Sequence, residues 1–176
     1  VFIMGDAAHR HPPSNGLGSN TSIQDSFNLA WKLAAVVKGQ AGPGLLETYS
    51  TERAPIAKQI VTRANQSIAE FGPIFEALGM DGGVDPEKIQ RNMAARCDAT
   101  AAAEKQRDAL RKAIEFKKYE FDCHGVEMNQ RYRSAAAVTD GQPEPAADRD
   151  MELHYQPTTW PGARIPHVWV CDRHGA

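Results

Sequence analysis

The sequence predicts a helix-rich α/β fragment, on three observations. A short apolar run of strand type, VFIM (1–4), ends at Gly5 and enters a loop dense in Pro, Gly, Asn and Ser. Between Asn20 and Lys118, long stretches carry helix-type patterning and helix-start signals. After Phe121 the texture turns to short alternating runs with β-prone residues. A length of 176 residues suits one domain with a substantial core. The chain begins at Val1 and stops inside another strand-like run, VWVCDRHGA, so a fragment cut at both ends is expected.

Taken in order, VFIM is a strand and GDAAHRHPPSNGLGSN (5–20) a loop. A helix should start near Asn20, where Ser22 and Asp25 have the S-x-x-D spacing that can satisfy free N–H groups. Ile23, Phe27, Trp31, Ala34 and Val37 then line one face for burial, and Gly39 is the stop. Asp25, Asn28, Trp31 and Lys32 are assigned to helix packing and loop bracing.

GQAGPG (39–44) reads as a turn and residues 45–71 as a second helical region. Pro55 removes a donor there and crowds the preceding turn, which predicts a kink or a fresh helix starting near Ser50 or Thr51. Ile56, Ile60, Ala64 and Ile68 mark its buried face. Gly72-Pro73 and GMDGG (79–83) punctuate the next stretch of chain.

Asp85-Pro86-Glu87 supplies a cap, a rigid first position and an acidic first turn for another helix. This helix is expected to reach about Lys118 with a break around Cys97–Ala99, as a solvated hairpin. Beyond Phe121, strands with a turn at Asp140-Gly141 are expected, then a polar loop (143–150) and extended edge segments in the tail.

Twenty basic against twenty-two acidic residues give a net charge of −2, which offers no electrostatic footprint for nucleic acid or anionic lipid. No apolar stretch approaches the roughly 18 residues of a membrane span. Cys97, Cys123 and Cys171 are far apart and odd in number, which predicts small buried thiols in a reducing, cytoplasmic setting.

The chemistry is concentrated in the loop. Asp6, His9 and His11 could ligate a metal, since an H-x-H pair in extended chain points both rings to one side; no further ligand sits at suitable spacing. Gly16 and Gly18 precede a helix, but position 21 is Thr and no strand directly precedes Gly16, so the G-x-G-x-x-G dinucleotide fingerprint is not met. What remains is a glycine loop delivering a helix N-terminus, with free N–H groups and partial positive charge, to something anionic or electron-rich. Asp6 could also cap a turn, Pro12 and Pro13 stiffen a loop, and Asn20 cap the helix.

The run G-D-A-A-H-x-x-P-P-x-x-G-x-G-x-N-x-x-x-x-D-x-x-N-L-x-W-K-L, Gly5 to Leu33, resembles the second FAD-contacting motif of the single-component flavin aromatic hydroxylases. With ETYSTERAPIAKQIV (47–61) and PGARIPHVWV (161–170), the chain is most similar to the phenol hydroxylase branch. The resemblance implies that residues 1–71 are the C-terminal part of a glutathione-reductase-like FAD-binding domain. Residues 72–150 then join the FAD and substrate regions, and 151–176 begin a thioredoxin-like domain.

It also implies roles. Asp6, held by Gly5, would accept from the ribityl hydroxyls of FAD, and the Pro13 carbonyl would lie over the flavin edge near the substrate, stiffened by Pro12. Gly18 and Asn20 would bring backbone amides and a helix start to the N1 and C2 carbonyl edge of the ring, where negative charge gathers on reduction. Pro13 is the candidate catalytic residue; Gly5, Asp6, Pro12, Pro13, Gly16, Gly18, Ser19 and Asn20 are the candidate cofactor contacts; no metal ligand is assigned.

The implied activity is a monooxygenase using FAD, with NADPH as co-substrate and dioxygen activated at flavin C4a, that hydroxylates a phenol, in particular a chlorinated one, ortho to its hydroxyl. A homo-oligomeric parent is implied, and this piece alone would be inactive. Tyr132, Arg131 and His124 are candidates for the base that deprotonates the phenol. Two rival readings stay open: a helical interaction fragment without cofactor, and a metal-dependent hydrolase using His9 and His11.

Overall fold

The computed structural model describes residues 1–80 and 85–169. Two long helices form its frame: α1 (Gly18–Val37) and α2 (Gly44–Ala69), packed on each other and joined by the turn at 38–43. Five shorter helices follow: α3 (Gly72–Ala77), α4 (Pro86–Ala95), α5 (Ala101–Phe116), α6 (Lys118–Phe121) and α7 (His124–Met128). Short 3-10 turns at Gly5–Ala7 and Ser14–Gly16 shape the N-terminal loop. The apolar core gathers Leu17, Ile56, Ile60, Cys123 and Val126, with Tyr132 packed against it.

The helix-rich expectation holds, whereas among the described residues the expected strands do not form. VFIM is extended at its end, with Met4 at φ −151° and ψ 166°, but its side chains are exposed and no second strand lies beside it among the described residues. A strand is stable only when its N–H and C=O groups find a ladder, and the bonds this segment makes come from side chains instead: the Tyr49 hydroxyl donates to the Ile3 carbonyl at 2.9 Å and the Ser26 hydroxyl to Met4 Sδ at 3.3 Å. After Phe121, α7 stands where strands were expected, and the β pairing seen among the described residues is one antiparallel bridge, Arg131 with Ala163. Asp140-Gly141 does turn, with Gly141 at φ +80° and the Gln142 amide donating to the Asp140 carboxylate, but it joins no strand pair.

The helix boundaries follow the sequence signals in part. Asp85 caps α4 by accepting from the amides of Glu87 and Lys88, with Pro86 at the first position, and the expected break falls between Ala95 and Ala101. Thr100 caps α5, which lies against α3. Among the described residues α4 buries no side chain and α5 buries only Ala103, the solvated character expected of this stretch.

Pro55 sits inside an uninterrupted α2 instead of starting a second helix. It faces outward, where water can replace the donor that the Thr51 carbonyl loses. Ile56, Ile60 and Ala64 are buried, but Ile68 is exposed and Ser67 takes its place on the inner face.

In α1 the expected arrangement is reversed. Ile23, Phe27, Trp31, Ala34 and Val37 all face outward, while Thr21, Asp25, Asn28, Leu29 and Lys32 face α2 and the loop. Periodicity locates an apolar face; it does not say whether this chain covers it. The helix begins at Gly18, and the Ser22/Asp25 cap is not made: the Ser22 hydroxyl donates to the Gly18 carbonyl, and Asp25 is fully engaged elsewhere. Cys97 is exposed and Cys123 buried; Cys171 lies outside the described residues, as does part of the 79–83 glycine stretch.

Candidate functional site: a braced loop at the start of α1

The loop from Gly5 to Asn20 is held from behind by charged groups buried between α1 and α2. Asp25, 1% exposed, accepts from the Gly5 amide at 3.1 Å, His9 Nε2–H at 2.7 Å and Arg53 Nε–H at 2.6 Å. Burial alone would raise its pKa, but the hydrogen bonds from His9, Arg53 and Gly5 together hold it below the ordinary aspartate value. Arg53 spends its remaining donors on the Tyr132 hydroxyl at 3.0 Å, Gln24, Gln130 and the Thr21 carbonyl.

A second buried group lies beside it. Lys32, 0% exposed, donates to Glu52 at 2.6 Å, and Glu52 also accepts from Asn28 at 2.7 Å and Ser134 at 2.5 Å. Burial again pushes up, and the bonds from Lys32, Ser134 and Asn28 outweigh it, leaving Glu52 below its ordinary value. The assignment of Asp25, Asn28 and Lys32 to packing and bracing is borne out. Trp31 is the exception, being exposed.

Along the loop, held and offered residues interleave. Gly5, His9, Ser14 and Leu17 are buried; Asp6, Pro13, Gly16, Ser19 and Asn20 are exposed or half-exposed, with Pro12 and Gly18 likewise between. Gly5 is required by the chain itself: its φ is +56°, and a Cβ there would stand 2.9 Å from Ser22 Oγ. Its amide is taken by Asp25, so it holds its neighbour Asp6 outward. Asp6 makes no hydrogen bond or ion pair among the described residues, leaving both oxygens free to accept.

The Pro13 carbonyl accepts the Gly16 amide at 3.1 Å, which sets its direction. His11 turns back, Nδ1–H donating to the Pro12 carbonyl at 2.7 Å, and its ring lies beside Gly18. Gly18 differs from Gly5: its φ is not positive, and a Cβ would meet only the His11 ring at 3.6 Å, an ordinary contact. Nothing among the described residues demands glycine there.

The first amide of α1 to find a main-chain acceptor behind it is that of Thr21, on the Leu17 carbonyl at 2.9 Å. The amides of Gly18, Ser19 and Asn20 sit in the opening turn, which has no intrahelical acceptors, and no side chain caps it. They and the helix dipole favour an electron-rich partner. Free carboxylate, fixed carbonyl and free amides are the donor and acceptor set that ribityl hydroxyls and a reducible ring edge need, so the residues present fit FAD.

The candidate site is an open edge rather than an enclosed pocket. A cleft of about 520 Å³ opens between the N-terminal segment and α2, lined by Ile3, His9, Arg10, Tyr49, Arg53 and Lys58 among others, and none of Asp6, Pro12, Pro13, Gly16, Gly18, Ser19 or Asn20 lines it. The metal reading loses its geometry. His9 is committed to Asp25 and His11 to Pro12, and among the described residues no group of three His, Cys, Asp or Glu could hold an ion. Of the candidate bases, Tyr132 accepts from Arg53, Arg131 pairs with Glu144, and the His124 ring lies tilted against Tyr155.

Arg53 and Glu52 were missed by reading the sequence, because charged side chains on a helix are ordinarily solvated. Their signal, adjacent opposite charges on the same helix as an interior proline, has meaning only when α1 presents Asp25 and Lys32 to them.

Comparison with known proteins agrees with the resemblance drawn from Gly5–Leu33. Residues 1–64 match the family described as FAD binding domain. The chain is 58% identical over 175 residues to 2,4-dichlorophenol 6-monooxygenase of Delftia acidovorans, covering 99% of this chain and 30% of that protein. It is 57% identical over 172 residues to phenol 2-monooxygenase of Pseudomonas sp. (strain EST1001), covering 98% and 28%.

Among solved structures, the flavin-dependent monooxygenase PieE in complex with FAD and substrate superposes with a TM-score of 0.90 at 49% identity, over 96% of this chain and 29% of PieE. Aklavinone-11 hydroxylase with FAD and aklavinone gives 0.58 at 32% identity, over 99% and 25%. The chain thus spans about 30% of the length of the curated relatives it matches. Among the described residues no helix is long and apolar enough to cross a membrane.

Proposed function

We propose that this chain is the flavin-facing portion of an FAD-dependent monooxygenase that uses NADPH and dioxygen to hydroxylate a phenol, in particular a chlorinated one, ortho to its hydroxyl, giving a catechol. One observation carries the reading. Within a segment matching the FAD binding domain, most of the residues expected to face the cofactor are those the structure leaves accessible, while Gly5, His9, Ser14 and Leu17 of the same loop are buried and anchor it.

In this reading Asp6 accepts from ribityl hydroxyls, a role suited to a carboxylate and ill suited to the neighbourhood of phosphates. The amides of Gly18, Ser19 and Asn20 stabilise negative charge at one ring edge without rearrangement, since α1 is fixed by Asp25 and Lys32 before anything binds. The Pro13 carbonyl, set by its bond from Gly16, orients substrate at the same edge. FAD, when bound, supplies the oxygen chemistry itself. The segment 72–150 then links flavin and substrate regions, the tail from 151 leads into a thioredoxin-like domain, and the intact protein is a cytoplasmic homo-oligomer.

The test is made on the intact protein. Purified natively, it should carry about one FAD per chain, and with 2,4-dichlorophenol, NADPH and ¹⁸O₂ it should give a catechol holding one labelled oxygen. Protein that takes up no flavin sinks the reading.

A further inference from the structure

Asn15 is the one non-glycine residue with positive φ among the described residues. Its φ of 67° and ψ of −7° lie in the left-handed region, at the third residue of a turn closed by the Gly16 amide on the Pro13 carbonyl. Glycine fills such a position without strain and asparagine tolerates it. The turn alone therefore does not explain the side chain.

The side chain reaches more than 100 residues along the sequence. Asn15 Nδ2 donates to the Tyr119 carbonyl at 2.8 Å, with the Glu120 carbonyl at 3.3 Å and Cys123 Sγ at 3.3 Å. Tyr119 and Glu120 lie in the last turn of α6, where carbonyls have no helical donor ahead of them. The opposite atom, Asn15 Oδ1, is buried without a partner, so the residue keeps both an unfavourable backbone conformation and an unsatisfied acceptor.

We infer that Asn15 is a positioning residue: its amide ties the turn Pro13–Gly16, and with it the Pro13 carbonyl and the opening amides of α1, to the carbonyl end of α6. Leu17 sits in the core, Asp25 holds Gly5 and Ser14 is buried, so the stretch 12–16 is anchored without Asn15, but its side-chain hydrogen bonds to α6 come from Asn15. The inference rests on the flavin reading above.

Two variants of the intact, FAD-loaded protein test it. Asn15→Gly keeps the turn and removes the amide; Asn15→Asp keeps size and turn preference and removes both donors. Both should raise the FAD dissociation constant about tenfold, and both should divert NADPH oxidation from catechol to hydrogen peroxide, with the thermal midpoint nearly unchanged for Asn15→Gly. Wild-type affinity and wild-type product yield in both variants overturn the inference. So does a lowered midpoint with affinity and yield intact, which is the signature of packing alone. A wild-type protein that binds no flavin overturns this inference together with the reading beneath it, whereas flavin affinity and product yield that are both indifferent to position 15 overturn this inference only.

Discussion

Arg53 on α2 donates from Nε to Asp25 Oδ1 on α1 at 2.6 Å, while Oδ2 of the same carboxylate holds the Gly5 amide and the His9 ring. One buried carboxylate thus joins the two long helices to the first turn of the loop. Asp25→Asn removes the charge that Arg53 needs and leaves a guanidinium buried without its counter-ion. The expected loss is about 3–5 kcal/mol of stability, read as a lowered thermal midpoint of the intact protein. A midpoint within a degree of wild type would contradict the bracing role.

Lys32 and Glu52 predict a compensation. Lys32→Met leaves Glu52 charged, with only Asn28 and Ser134 as donors, and should cost about 3 kcal/mol. Adding Glu52→Gln removes the stranded charge and should recover part of that loss. A double-mutant cycle checks it, with simple additivity as the contrary result.

Acid sensitivity follows from the same two carboxylates. Both have folded-state pKa values below their ordinary ones, so their contribution to stability is complete above about pH 4.5 and is lost as pH falls through the folded values. Urea titrations from pH 6 down to 3 should show stability falling below about pH 4.5, and the slope should shrink in Asp25→Asn.

Two glycines of one loop should separate. Gly5→Ala meets Ser22 Oγ and an unfavourable φ, and should cost about 2 kcal/mol or more of stability. At Gly18 a Cβ meets only the half-buried His11 ring at 3.6 Å, so for Gly18→Val the thermal midpoint of the apoprotein should move little while FAD content on purification falls sharply. Retained FAD in Gly18→Val would remove the ring edge from the start of α1.

Asp6 is exposed and unbonded among the described residues, so Asp6→Ala should leave apoprotein stability within about 0.5 kcal/mol of wild type. Its FAD dissociation constant should rise tenfold or more, for the loss of hydrogen bonds to a charged acceptor. Equilibrium titration with FAD measures it, and an unchanged constant would place the ribityl chain elsewhere.

The order of local events was legible in the amino acids alone. Gly5, Pro12, Pro13, Gly16 and Gly18 mark the loop, Asp85-Pro86 marks a helix start, and the spacing of Asp6, Pro13 and Asn20 carried the flavin resemblance, because backbone preferences and motif spacing act over a few residues. The outward and inward faces of α1 were not legible. Ile23 and Phe27 look buried and Asp25 and Lys32 look solvated until Arg53 and Glu52, 28 and 20 residues away, arrive to neutralise them. Likewise VFIM has strand character, yet a strand exists only with a neighbour. Burial of charge, capture of a loop by Asn15 and pairing of extended chain all depend on partners distant in sequence, and only the tertiary structure supplies those.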